Sequence, residues 1–131
     1  MESTVCFCGS KKNFEACCKP LIEFEKKAQT AEELMRSRYS AFATKSVDYL
    51  VETHHPKTRV NLDIHDLFLF CGQANFTKLK VKKTKKGKEN DDSGRVKFEA
   101  FFEMNGKKEV IAEDSYFERL EGDWFYVDAR K

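Results

Sequence analysis

Hydrophobic residues recur at helical spacing through the first half of the chain. Thr30-Ala-Glu-Glu33 is typical of a capping box, in which a hydroxyl and a carboxylate bind the first free amides of a helix. The apolar positions that follow predict a helix ending near Lys45; they are Leu34, Met35, Tyr39, Ala41 and Phe42. A second, shorter helix is expected between Ser46 and Pro56. A third is expected over about residues 62–71, with Gly72 as its C-cap. The inward face of this third helix is expected to carry Ile64, Leu67, Phe68 and Cys71.

After Gly72 the apolar period changes to two. Leu79 and Val81 alternate with lysines, and two tight turns are indicated by Asn105-Gly106 and by residues 121–123. The mixed-charge stretch KKTKKGKENDDSG is typical of an exposed hairpin tip. Helices followed by four antiparallel strands predict an α+β fold in which the helices lie on one face of a curled sheet.

Four of the five cysteines fall within thirteen positions, at Cys6, Cys8, Cys17 and Cys18. A disulfide within either doublet would close a strained small ring. The opening residues MESTV show no export segment that would bring the thiols to an oxidising compartment. Four reduced thiols on one short loop can instead surround a zinc ion tetrahedrally. We therefore predict one bound zinc, with a reactive thiol cluster as the alternative. Cys71 is expected to be a small buried hydrophobe.

The segment CFCGSKKNFEACC resembles the SEC-C motif, the zinc knuckle at the C-terminus of the SecA translocation ATPase. In SecA the knuckle docks a chaperone and the ribosome, so the resemblance implies a protein or ribosomal partner rather than catalysis. Lys11 stands where the motif usually has its second glycine.

Composition limits the remaining choices. A chain of 131 residues, 40% of them hydrophobic, is large enough for one compact core. The formal charge of +2 falls to about zero when four thiolates bind one Zn²⁺, so net charge argues neither for nor against a nucleic-acid partner. No apolar run approaches the length that spans a membrane. We expect a cytoplasmic protein with no membrane association.

Three further segments, LMRSRYSAFATKSVDYL, THHP and EDSYFERLEGDWFYVDA in that order, resemble the bacterial YchJ family. Members of that family join a SEC-C knuckle to a nuclear-transport-factor-2-like domain. The resemblance implies a cone-shaped α+β domain with a cavity between helices and sheet, and no established reaction. We place the knuckle at residues 1–20, a connector at 19–29 and the α+β domain at 28–131. In the THHP segment, His54 stands where the family often has Trp.

The candidate cavity residues begin with Arg38, which helical geometry puts on the apolar flank of the first long helix. A guanidinium in that position needs a partner, and Glu113 is the best candidate because it shares a strand face with Ser115. We expect Arg38, Tyr39, His55, Glu113 and Ser115 to surround a cavity that orients a ligand. The alternative is a buried ion pair that only fixes how the helix packs on the sheet.

Two other groups of polar residues have simpler interpretations. His54 and His55 are expected at the end of the second helix, where histidines cap free carbonyls. The lysines between residues 78 and 88 lack interleaved aromatic residues, which favours a solvated strand face. This pattern predicts no dedicated nucleic-acid site; it is compatible only with weak electrostatic contact with ribosomal RNA.

Two functional hypotheses of different class follow. The preferred one is a zinc-containing binding or adaptor protein, whose knuckle docks a partner and whose cavity receives a small ligand. The second is a small enzyme that uses the cavity for proton transfer, such as isomerisation or dehydration, chemistry for which this fold is a frequent host. The second hypothesis lacks an unambiguous catalytic base in the sequence.

Overall fold

The computed structural model describes residues 5–130, in which short helices precede a four-stranded sheet. A 3-10 turn at Phe14–Ala16 leads into the helices. The helices are α1 (Lys19–Ile22), α2 (Ala31–Thr44), α3 (Val47–Glu52), α4 (Pro56–Arg59) and α5 (Ile64–Gln73). The strands are β1 (Asn75–Lys86), β2 (Ser93–Met104), β3 (Lys107–Leu120) and β4 (Asp123–Arg130). The predicted α+β class and the number and order of the strands are confirmed. None of the helices within residues 5–130 is both long and apolar enough to cross a membrane.

Helix α2 begins at the predicted cap. The Thr30 hydroxyl accepts a hydrogen bond from the Glu33 amide at 3.0 Å. The Glu33 carboxylate reaches back one residue further than in a standard capping box and accepts from the Gln29 amide at 3.3 Å. The helix ends where Lys45 adopts a left-handed φ of 62°, and the next amide, that of Ser46, closes on the Ala41 carbonyl at 2.7 Å.

Helices α4 and α5 differ from the prediction. The second helix ends at Glu52, before Pro56, and Pro56 instead begins α4, because proline is well suited to the first helical position. Helix α5 starts after Asp63, whose carboxylate accepts from the Asp66 amide at 3.0 Å, and it continues through Gly72.

Four residues were predicted to form the inward face of α5, and the prediction is wrong for two of them. Ile64 and Phe68 are 52% and 62% exposed, whereas Cys71 is buried and Leu67 is partly buried. Phe70 sets this orientation, because its ring packs against Phe42, Phe76 and Phe102 with centroids 5.5–6.1 Å apart.

The sheet is antiparallel in the order β1-β2-β3-β4. Two of its hairpins turn through pairs of residues with positive φ, Asn105-Gly106 (54° and 78°) and Glu121-Gly122 (53° and 90°), as the sequence predicts. Its inner face buries six side chains of β2 and β3: Val96, Phe98, Ala100, Phe102, Ser115 and Phe117. Helix α2 packs over this face.

The first hairpin is longer than expected, because its lysine-rich arm pairs with β2 as far as Lys86 and Gly94. Its tip is fastened to the rest of the domain. The Gly87 carbonyl accepts from the Ala31 amide at 2.9 Å, and Arg119 donates to the carbonyls of Glu89 and Asp91 at 2.6 and 2.7 Å. A Cβ at Gly94 would lie 2.4 Å from the Cα of Gly87, so the two glycines permit the close approach.

The N-terminal segment packs on α2 rather than standing apart. Residues 5–18, called the knuckle below, contact α2 where Arg36 donates to the Cys8 carbonyl at 2.6 Å. The predicted connector is also partly structured, since it contains α1, whose Leu21 is 3% exposed. The limits 1–20 and 28–131 stay a prediction, and residues 1–4 and 131 lie outside the described residues.

Candidate metal centre and cavity

The four knuckle cysteines converge on one point. Their Sγ atoms all lie within 4.8 Å of one another. Two of the separations, 3.7 Å for Cys8–Cys17 and 3.9 Å for Cys17–Cys18, are far longer than a disulfide bond. They match the edge of about 3.8 Å that a tetrahedron of sulfurs has when each metal–sulfur bond is ~2.3 Å. The residues therefore fit a tetrathiolate metal site.

Backbone geometry brings the cysteines together. The Val5–Asn13 bridge and the hydrogen bond from the Cys6 amide to the Lys12 carbonyl, 2.8 Å, close a small loop. Within it Gly9 has a φ of 81° and Lys11 a φ of 70°. Lys11 thus adopts the left-handed conformation that a glycine adopts without strain.

Polar neighbours surround the sulfur cluster. The Ser10 hydroxyl lies 3.2 Å from the Cys17 sulfur, and the Ser40 hydroxyl of α2 lies 3.6 Å from the Cys6 sulfur. Hydrogen bonds from the Cys18 and Cys8 side chains lower the pKa of Cys6, whereas burial raises the pKa of Cys17. The cluster favours the thiolate at Cys6, which is the form of the side chain that binds metal ions.

A cavity of about 260 Å³ lies between the helices and the inner face of the sheet. Most of its wall is apolar, with Phe42, Leu67, Phe76 and Phe98 among the lining side chains. Four of the five predicted cavity residues line it: Arg38, Tyr39, Glu113 and Ser115. Tyr39 is 3% exposed, and burial raises its pKa to about 12, so its hydroxyl stays protonated at neutral pH.

Arg38 is held in place by neutral groups. Its Nη1 donates to the Leu50 carbonyl at 2.9 Å and to the Thr53 hydroxyl at 2.7 Å, and its guanidinium carbon lies 4.6 Å from the centre of the Tyr126 ring. Burial lowers the pKa of Arg38 to about 10, so it remains charged at neutral pH.

The predicted ion pair between Arg38 and Glu113 is absent from the described residues. Carbonyl and hydroxyl acceptors from α3 and its C-cap occupy the Arg38 Nη1 instead. The Glu113 carboxylate accepts one long hydrogen bond, of 3.5 Å, from Ser115.

The two neighbouring histidines have different positions from those predicted. His54 lines the cavity, with its ring edge-on to Tyr126 at 5.2 Å. Burial and the nearby Arg38 lower the pKa of His54 to about 4, so its ring is neutral at pH 7. His55 is not among the residues lining the cavity. It is the N-cap of α4, where its Nδ1 accepts from the Lys57 amide at 3.1 Å.

His55 belongs to a polar group built on β3 and α4. Its Nε2 lies 3.8 Å from the Glu118 carboxylate, which also accepts from Lys57 at 2.6 Å and from the Tyr116 hydroxyl at 2.7 Å. Glu118 occupies the strand position next to inward-facing Phe117, so this group lies on the outer face of the sheet. Burial and Lys57 lower the pKa of His55.

The family described as the YchJ middle nuclear-transport-factor-2-like domain matches residues 30–129. The chain belongs to the YchJ family. A UPF0225 protein of Photorhabdus laumondii is 40% identical over 97% of this chain and 80% of its own length. A UPF0225 protein of Geobacter sulfurreducens is 32% identical over 96% of this chain and 78% of its own length. The family predicted from the sequence is therefore confirmed.

Two solved structures are similar in fold to this YchJ-family chain. The solution structure of a SEC-C motif containing protein from Rhodopseudomonas palustris superposes with a TM-score of 0.87 at 33% identity, over 97% of this chain and 98% of that one. The crystal structure of a SEC-C motif containing protein from Psychrobacter arcticus has a TM-score of 0.80, over 98% of this chain and 81% of that one. At 24% identity, the second likeness shows the fold alone.

Two cavity-lining residues of this YchJ-family chain, His54 and Tyr126, were not among the five predicted to surround the cavity. The sequence predicted His54 as a cap of free carbonyls at the end of the second helix. An available indication was the alternation along β4, since Trp124 and Tyr126 are two positions apart and side chains at that spacing share a face. The direction of the His54 side chain depends on the residue at which α3 ends, and the sequence does not define that residue.

Proposed function

We propose that this chain is a zinc-stabilised binding module. The observation that supports this proposal best is that the four sulfurs converge at distances that fit one tetrahedral metal ion. Among the divalent metals, thiolate ligands in a tetrahedral arrangement favour zinc. Because four protein ligands fill such a site, the metal holds the fold and leaves no open position for a substrate. Reduced thiols also agree with a cytoplasmic location, which remains part of the proposal.

The second element of the proposal is a protein or ribosomal partner that docks on the knuckle. Val5 and Phe7 are large apolar side chains of the knuckle, yet they are 58% and 41% exposed. Phe7 is fixed edge-on against Phe14, with ring centres 5.4 Å apart. The exposed side chains of Lys11 and Lys12 lie on the same loop. A rigid apolar anchor next to positive charge suits a partner surface with an apolar pocket and acidic or phosphate groups.

Cosedimentation with purified ribosomes tests the docking. We expect the metal-loaded chain to sediment with ribosomes and Phe7→Ser to lose most of this binding. Phe68→Ser is the matched control, because Phe68 is 62% exposed but lies on α5. An equal loss of ribosome binding in both variants would indicate non-specific apolar adsorption. If the chain does not sediment with ribosomes at all, the ribosome is excluded as the partner. Weak contact through the β1 lysines would instead disappear with added salt in both variants.

A second candidate function, proton transfer on a small substrate, rests on Glu113 and His54. Glu113 is a cavity-lining carboxylate without an ion pair among residues 5–130, and the neutral His54 ring lines the same space. Either group can accept a proton from a bound molecule. Exchange of α-protons of small ketones in D₂O, followed by NMR, tests this candidate. Exchange that Glu113→Gln does not reduce would exclude Glu113 as the base.

A further inference from the structure

The polar end of the cavity has unused hydrogen-bonding capacity of both kinds. Arg38 engages only its Nη1 with acceptors in the described part of the chain, which leaves the Nε–Nη2 edge without one. Buried side-chain nitrogens and oxygens in these residues all have partners, so this unpaired edge must reach accessible space. Arg38 lines the cavity, and the edge of a guanidinium that carries Nε and Nη2 suits a planar acceptor such as a carboxylate or a carbonyl.

Glu113 supplies free hydrogen-bond acceptors at the same end of the cavity. Its carboxylate can accept about four hydrogen bonds, and the described residues provide one, from Ser115 at 3.5 Å. Ser115 is 2% exposed and comes from the same strand face. Arg38 and Glu113 thus present a fixed donor edge and an acceptor in one small space, without neutralising each other by direct contact.

We propose that the cavity binds a small apolar molecule whose head group carries an acceptor and a donor side by side. The carboxylate and ammonium of an apolar α-amino acid have this chemistry, and so does a primary carboxamide. The acceptor binds the free edge of Arg38 and the donor binds Glu113. A simple carboxylic acid would bring its charge next to Glu113, and a simple amine would bring its charge next to Arg38, so each is disfavoured by like-charge repulsion.

The size and lining of the cavity set the apolar part of the ligand. A volume of about 260 Å³ is smaller than that of pockets for drug-sized ligands, which start at roughly 300 Å³. The walls away from Arg38 and Glu113 are formed by aromatic and aliphatic side chains such as Phe42, Leu67 and Phe76. One benzyl or branched aliphatic group therefore suits the space better than a long acyl chain.

Calorimetry on the full metal-loaded chain tests the ligand class with four probes that share a phenyl group. L-phenylalanine and 3-phenylpropanamide carry both an acceptor and a donor, whereas 3-phenylpropionate and 2-phenylethylamine carry a single charge. We expect at least one of the first two to bind about tenfold more tightly than either of the others. Equal affinity for a singly charged probe, or no binding of any probe, would overturn the proposal.

A pair of variants locates the bound head group. Glu113→Gln should weaken binding of the preferred probe about tenfold, because the strong carboxylate acceptor becomes an amide. Glu109→Gln makes the same change at an exposed position of β3 and should leave the affinity unchanged. An unchanged affinity in Glu113→Gln, with melting as in the wild type, would contradict the proposal. The readout is binding in the cavity, so this result leaves docking on the knuckle unaffected.

Discussion

The knuckle and the α+β domain lie against each other, yet different interactions hold them. In the knuckle, two apolar side chains, Val5 and Phe7, are exposed and the buried residues are three cysteines, Cys6, Cys8 and Cys18. In the α+β domain the core is apolar and continuous, from Leu34 on α2 to Val96 and Phe117 on the sheet. A segment as short as the knuckle buries too little surface to fold by itself, and metal ligation is the usual compensation.

Helix α2 contacts both the knuckle and the cavity of the α+β domain. One side of the helix meets the knuckle through Arg36 and Ser40, and another side lines the cavity through Met35, Arg38 and Tyr39. The comparison teaches that the two parts share a helix and one buried cluster, to which the knuckle contributes Cys6, Cys8 and Cys18, and that the proposed metal would add a second source of stability in the knuckle alone. Perturbations of the metal and of the apolar core should therefore have separable effects.

The largest effect is expected when the sulfur cluster is broken. Cys8→Ala removes one of the four proposed ligands, which is 0% exposed, so we expect the chain to lose the proposed zinc. Structural zinc contributes on the order of 10 kcal/mol of binding free energy in small zinc domains. Elemental analysis measures the metal, and hydrogen exchange should show loss of protection in the knuckle while the sheet amides stay protected.

Cys71→Ala is the matched control for the metal. Cys71 is 1% exposed but lies on α5, outside the cluster, so its replacement should leave the zinc content unchanged. Zinc retained by Cys8→Ala, or lost from Cys71→Ala, would show that the ligand set is different.

The reverse experiment removes apolar core from the sheet. Phe117 is 1% exposed, and Phe117→Ala should lower the free energy of unfolding by about 3–5 kcal/mol. Phe68→Ala, at a position 62% exposed, should change it by less than about 0.5 kcal/mol. Urea denaturation followed by tryptophan fluorescence measures both. A similar cost for the two variants would mean that α5 is covered in solution.

Arg38 tests how the polar end of the cavity is held. Arg38→Ala removes two hydrogen bonds from a charged donor, each worth roughly 1.5–3 kcal/mol, so we expect a loss of about 3–6 kcal/mol. A double-mutant cycle with Glu113→Gln should give a coupling below about 1 kcal/mol, because the two side chains do not form an ion pair. A coupling of several kcal/mol would instead support the ion pair predicted from the sequence.

Acid should weaken the domain through His54. The pKa of His54 is lowered to about 4 in the folded chain, below its unfolded value of about 6.5. Its contribution to stability is therefore complete above pH 6.5 and is lost as the pH falls towards 4. Thermal melts across this window should show a weaker pH dependence for His54→Gln than for the wild type. His65→Gln, at an exposed position of α5, is the control and should keep the wild-type slope.

The smallest effect is expected at Lys11. With a φ of 70°, Lys11 pays the cost of a left-handed backbone that glycine avoids. Lys11→Gly should therefore raise the stability of the metal-loaded knuckle slightly, by about 1 kcal/mol or less. Competition with a zinc chelator measures this change. A weaker hold on zinc in the variant would mean that the lysine charge matters more than the backbone strain.

Features fixed by local chemistry could be predicted from the sequence. The Thr30 cap, the turn at Asn105-Gly106 and the cysteine spacing each depend on a few neighbouring residues, and the structure has all three. The inward strand faces followed from alternation, which placed Glu113 and Ser115 on the cavity side.

Features fixed by tertiary contacts could not be predicted in the same way. The partners of Arg38 depend on how α3 crosses α2, and no residue pattern encodes that crossing. The exchange of roles between His54 and His55 arises because only Thr53 and His54 separate the end of α3 from the cap of α4. A shift of a single residue in such a short joint turns one side chain into the cavity and the other out of it.

The fastened tip of the first hairpin limits where the chain can be engineered. An added loop or tag near Gly87 or Gly94 would separate strands that meet at a spacing only glycine allows, and it would displace the contact with Ala31. A Cβ at Gly106, by contrast, would have no neighbouring atom within 4 Å. The second hairpin is therefore the place to insert a fluorophore or an affinity peptide, since it leaves both the sulfur cluster and the cavity untouched.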